Sequence, residues 1–160
     1  MLIRLSGNGV RGVGRPPYIA DMTASKDFQP SATTLLAYNI LVECARSRTK
    51  TTYMKMYNQM APDCGWPAQT PGHAWMARLK PHLAMVGDLC GQRGEPCLSA
   101  LVRQQNDTIG KGFATAFYNC YGTRITRHDD GCPCGNCTQY IHQAAKDETL
   151  KCFDYHRRRN

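Results

Sequence analysis

Three thiols fall within six residues at Cys132-Pro-Cys134-Gly-Asn-Cys137. Thiolates this close suit one Zn²⁺, which takes four soft or imidazole donors in a tetrahedron. Gly131, Pro133 and Gly135 supply turns that let the backbone wrap an ion, and Cys134-x-x-Cys137 has the spacing of a zinc knuckle. Cys120, His128, His142 and Cys152 are the available fourth ligands, with Cys120 or His128 preferred. The expected cofactor is therefore structural Zn²⁺, held by Cys132, Cys134 and Cys137 with Cys120 or His128. The second Cys-x-x-Cys of a zinc ribbon is missing, so free thiols or a redox pair form the alternative.

Other chemistries fit less well. His128-Asp129-Asp130 precedes the thiols and could serve an HNH-like nuclease, which needs a His base beside a hard-cation site. Clustered thiolates instead mark closed structural sites, so no catalysis is expected. Gly7 to Gly14 is glycine-rich, but no strand precedes it and no helix follows, as a phosphate-cradling loop requires. The Cys-x-x-Cys opens no thioredoxin-like βαβ unit.

Positive charge is the second signal. The 160 residues carry 20 Lys and Arg against 12 Asp and Glu, a net charge of +8. Such a surplus favours polyanionic partners: nucleic acid, an anionic surface or an acidic protein. With 42% hydrophobic residues the chain can pack a core, which excludes wholesale disorder. No apolar run approaches the ~20 residues that span a bilayer, and no membrane association is expected. Nine cysteines, an odd number, without a secretory leader argue for thiols in a reducing, cytoplasmic compartment rather than a disulfide framework.

Several elements must position these groups. Residues 1–29 read as a flexible basic arm, with Arg4, Arg11 and Arg15 among glycines and prolines; Met22 is an alternative start. In Pro30 to Arg48, Leu35, Tyr38, Leu41, Val42 and Ala45 recur at helical spacing behind a Ser31 cap. A second helix, capped by Thr51 or Thr52, carries Tyr53, Met56, Tyr57 and Met60 as a core stripe and stops at Ala61-Pro62. A third helical region holds Trp75, Met76, Leu79, Leu83, Val86 and Cys90; Pro81 predicts a kink or two abutting helices. Leu98 to Arg103 reads as a strand and Gln104 to Gly112 as a polar loop; Phe113 to Tyr118 is a returning strand or a helix. Thr138 to Phe153 reads as a helix, followed by a basic tail.

Helix, helix, helix, strand, loop, strand is the order of a winged helix-turn-helix. Tyr53, Gly72, Leu79, Pro96, the run Leu98 to Val102, Gly110, Gly112 and Phe113 also form a recurrent pattern. Over residues 50–115 it resembles small, mostly uncharacterised bacterial and phage proteins, and the resemblance implies a winged-helix-like module without naming an activity. The expected class is α+β and mainly helical. Residues 1–29 form the arm, 30–118 the winged-helix-like domain and 119–160 a zinc-knuckle extension with a C-terminal helix.

Such a module places a helix in the major groove and holds phosphates with Lys, Arg and helix N-termini. The residues suited to this are Lys50, Thr51, Lys55, Gln69, Thr70, His73, Arg78, Lys80, Arg103 and Lys111; as ordinary solvated surface they would do nothing. The expected function is non-catalytic binding of nucleic acid, double-stranded DNA first. One alternative is a phage or mobile-element protein that inhibits a host defence enzyme; another is the HNH-like nuclease.

Overall fold

The computed structural model describes residues 29–68, 74–125, 137–157 and 159, with the backbone alone at 137 and 138. Helix α1 spans Ala32–Arg46, and its cap is Ser31, whose Oγ accepts from the Thr34 amide at 3.1 Å. Ala37, Leu41 and Ala45 turn one fully buried stripe inward. Strand β1 is only Thr51–Thr52. Thr52 then caps α2 (Tyr53–Cys64) by accepting from the Lys55 amide at 3.2 Å. The stripe Tyr53, Met56, Tyr57 and Met60 is buried as its spacing requires; each such side chain contributes about 1.5–3 kcal/mol.

Two prolines are absorbed. Helix α2 runs through Pro62 to Cys64 and closes on Gly65 in the left-handed region at φ 65°. Helix α3 is a single helix, Met76–Arg93, that contains Pro81 and closes on Gly94. Pro81 is the sixth residue of α3, so its missing amide weakens the ladder close to an end that is already short of partners.

The strand expected over Leu98 to Arg103 is mostly not extended. Leu98–Leu101 curls into a fully buried 3-10 turn, leaving β2 as Val102–Arg103. β2 pairs parallel with β1 in the register Thr51↔Val102 and Thr52↔Arg103. The chain folds back over 104–108 and touches β2 again through one antiparallel bridge, Arg103↔Ile109. It then becomes helix α4, Gly112–Tyr121, where a returning strand was one expectation. Helix α5 spans Cys137–Arg157. The described protein is thus mostly helical, with five α-helices and one small two-stranded sheet.

Two apolar clusters share these elements. The larger joins α1, α2 and α3 to Cys152 and Phe153 of α5. The smaller holds Cys97, Ala100, Ile109, Phe113 and Ala116 with Ala145 of α5. Helix α5 therefore fills both, and α4 runs straight across residue 119, where the sequence suggested a boundary. Among the described residues, α5 packs against both clusters. No described helix is long and apolar enough to cross a membrane.

Candidate nucleic-acid interface and thiol cluster

The N-terminal parts of α2, α3 and α4 meet at a small hollow lined by Tyr53, Lys80, Leu83, Ser99, Gly112 and Phe113. Local chemistry fixes its walls. Ser99 donates to the Leu83 carbonyl at 2.8 Å, which holds the 3-10 turn on α3. The Tyr53 hydroxyl occupies the space that a Cβ on Gly110 would take, so a side chain at residue 110 would push the Tyr53 ring aside. Helix α4 starts at Lys111 without a side-chain cap. Phe113 and Ala114 already donate their amides to the Gly110 and Lys111 carbonyls at 3.1 and 3.2 Å, so the attraction for an anion at this end comes from the helix dipole and from exposed Lys80 and Lys111.

The candidate contacts divide accordingly. Lys80 lines the hollow, Lys111 directly precedes Gly112 in its wall, and Lys55 is exposed on the first turn of α2. Arg78 is exposed on the first turn of α3. Lys50 has its Nζ 2.7 Å from both carboxylate oxygens of Asp107, and this contact holds the Asp107 carboxyl below its usual range. Thr51 is buried in β1. Arg103 is only 6% exposed; its Nη2 donates to Thr149 Oγ1 at 2.9 Å, and burial lowers its pKa. It ties β2 to α5 and its guanidinium faces inward. Gln69, Thr70 and His73 lie outside the described residues.

The thiols form a different centre. Cys152 donates to the Cys97 carbonyl at 3.5 Å, and Cys120 donates to the Glu95 carbonyl at 3.6 Å. The Cys97 thiol is pushed up by the neighbouring Cys120 thiol and by burial; burial also raises Cys90 and Cys152. These four thiols, from α3, the turn after it, α4 and α5, sit close enough to oppose one another's ionisation. Cys90, Cys97 and Cys152, protonated and buried, pack as small apolar groups and are poor nucleophiles. Spacing gave no hint of this, because the four come from four separate segments.

A buried carboxylate closes the centre. Glu148 is 1% exposed, accepts from the Cys97 amide at 2.7 Å and from the Tyr121 hydroxyl, and has Lys151 Nζ at 3.3 Å. Burial, then Glu148, drives the Tyr121 pKa up, so the phenol stays a donor. Among the described residues no three His, Cys, Asp or Glu side chains are arranged to hold a metal. His128, Cys132 and Cys134 lie outside those residues, and Cys137 is described only as the first backbone position of α5.

Compared with known proteins, the chain matches no family model, no curated protein and no solved structure.

Proposed function

We propose that this protein binds nucleic acid, double-stranded DNA first, without catalysis, through the basic face around the starts of α2, α3 and α4. The observation that carries the reading is the convergence of Lys80 and the uncapped start of α4 on one hollow. The hollow, about 10 Å³, is too small to admit a phosphate, so a backbone phosphate would lie across its mouth against Lys80 and the positive end of the α4 dipole. Arg78 and Lys80 then lie on the leading turns of α3, the helix that would approach the groove. The order α1, β1, α2, α3, β2 with the 103–109 bridge supports the first part of a winged-helix-like reading, while the parallel β1–β2 pairing and α4 in place of the returning strand depart from it. Lys55 and Lys111 add exposed charge to the same side, whereas Arg103 and Thr51 act in the fold.

The thiols at Cys132, Cys134 and Cys137 keep the zinc reading, supported by a donor set whose chemistry suits the ion. They would hold it in a structural role just ahead of α5. The fourth ligand in this reading is Cys120 or His128.

The test is fluorescence anisotropy with a DNA duplex across a salt series, on protein of measured zinc content. Binding whose logarithm falls linearly with the logarithm of salt supports the reading. Absence of binding at low salt overturns it and favours the alternative of a protein target.

A further inference from the structure

A cleft of about 380 Å³ opens between α1 and the end of α5, and it shares no residue with the basic face. Its inner wall holds three polar side chains that the fold nearly closes over: Tyr38, Glu95 and His156 are 7%, 8% and 4% exposed. The Tyr38 hydroxyl donates to Glu95 Oε2 at 2.6 Å. Burial, reinforced by Glu95, pushes the Tyr38 pKa up to about 12, so the phenol keeps its proton. That bond uses part of the acceptor capacity of Glu95; a carboxylate can take about four donors. His156 is held below its usual pKa by burial, and its Nε2 has no hydrogen-bond partner among the described residues. A buried polar atom left unpaired costs about 1–3 kcal/mol, and such atoms call for an explanation. A ligand supplies one.

The charges restrict what that ligand can be. Arg46 and Arg159 line the cleft, and Arg93 lies over the Tyr38 ring at 4.6 Å. Against these three guanidiniums stand Glu95 and Glu43, and Glu43 is already paired with Arg46 at 2.7 Å. The surplus is positive, which disfavours an ammonium ligand and favours one with an anionic group near the arginines. The floor asks for neutral N–H donors facing a carboxylate. A guanine edge presents two such donors side by side, N1–H and N2–H, whereas the other bases present fewer to one carboxylate. The volume falls within the range of small-ligand sites, roughly 300–1,000 Å³.

We propose that this cleft binds a 5′-phosphorylated guanine nucleotide, with Glu95 taking the base edge, His156 Nε2 a further base atom, and Arg46 and Arg159 the phosphate. Free nucleotide and the 5′ end of a strand share this chemistry.

The experiment is calorimetric titration of the full chain with guanosine, inosine and adenosine 5′-monophosphates, and with a short single strand bearing a 5′-phosphorylated guanosine. Guanosine monophosphate is expected to bind at least about tenfold more tightly than inosine monophosphate, which lacks N2–H and so makes one hydrogen bond fewer to the charged Glu95 carboxylate. Binding of the strand but not of the free nucleotide identifies the strand end as the source. Glu95→Gln is expected to remove the guanine preference. Because Glu95 also anchors Tyr38, the exposed-rim variant Arg159→Ala provides a second reading, with all three nucleotides weakened alike. No binding of either guanine ligand, or equal affinity for guanine and adenine, overturns the proposal. Duplex binding by the basic face is unaffected by either result, so the two readings fail separately.

Discussion

Gly87 of α3 lies directly against the backbone of Ala116 on α4, with no room for even a methyl group between them. One turn on, a Cβ at Gly91 would fall 2.6 Å from the Cys120 carbonyl oxygen. The two helices thus touch backbone to backbone along a seam of small residues, and the hollow at their N-terminal ends inherits its shape from that contact. Gly87→Ala is expected to destabilise the protein by about 3 kcal/mol, since rigid main chain must move to admit the methyl. Urea denaturation reads this directly; an unchanged midpoint would show that the helices can separate at little cost.

Glu148 gives a second stability prediction. Its carboxylate is the acceptor for the Cys97 amide and the Tyr121 hydroxyl. Glu148→Ala strands the buried Cys97 amide and leaves the half-exposed Tyr121 hydroxyl to water, at a cost of about 1–3 kcal/mol. Tyr121→Phe removes one donor together with its need and is expected to cost less. Thermal melts of the two variants would sink this account if their order were reversed.

Two imidazoles set the acid limb of stability. Burial lowers the pKa of both His82 and His156, and His82 Nδ1 sits 3.0 Å from the buried Thr34 hydroxyl. The native state therefore binds fewer protons than the unfolded chain just below the unfolded imidazole value, about pH 6.5. Their contribution is complete above that value and is lost as pH falls through the lowered native pKa values. Denaturant midpoints measured from neutral to mildly acid pH are expected to decline, and less steeply in His82→Gln with His156→Gln.

For the basic face, Lys80→Ala with Lys111→Ala is expected to weaken duplex binding. The slope of log affinity against log salt should fall by about 2, one unit for each phosphate that is no longer neutralised. Arg103→Met is expected instead to lower stability, because Arg103 is bonded to Thr149 inside the fold. Should Arg103→Met lower the salt slope as much as the lysine pair, the division between surface and interior cations would be wrong.

Removing the metal is the last test. Protein purified without chelator is expected to carry about one zinc per chain, and Cys134→Ala to carry none. Elemental analysis of both proteins decides it; equal zinc in the two would place the ion elsewhere.

Periodic apolar patterns made α1, α2 and α3 readable in the sequence, along with their caps at Ser31 and Thr52. Pro62 does not stop α2, which continues to Cys64, and Pro81 lies within one helix rather than between two. The stretch Leu98–Leu101 looked extended since an apolar run has no helical stripe, yet complete burial suits a tight 3-10 turn equally. Lys80 and Lys111 were legible as surface cations, whereas Arg103 looked like one of them until its partner Thr149, 46 residues away, enclosed it. Tyr38, Glu95 and His156 carry no shared motif, and only tertiary packing of α1 against the end of α5 assembles them. The hydroxyl of Tyr38 and the carboxylate of Glu95 are 57 residues apart in sequence.

Helix α5 contributes Ala145 to one apolar cluster and Cys152 and Phe153 to the other. During synthesis the earlier helices leave the ribosome first and must wait with both seams open. Folding of this chain is therefore committed only once α5 has emerged. A nascent chain cut short before α5 presents unsealed apolar surface, the kind chaperones and proteases act on. Among the described helices the closing one is made last, so a chain cut short before α5 carries its own signal for clearance.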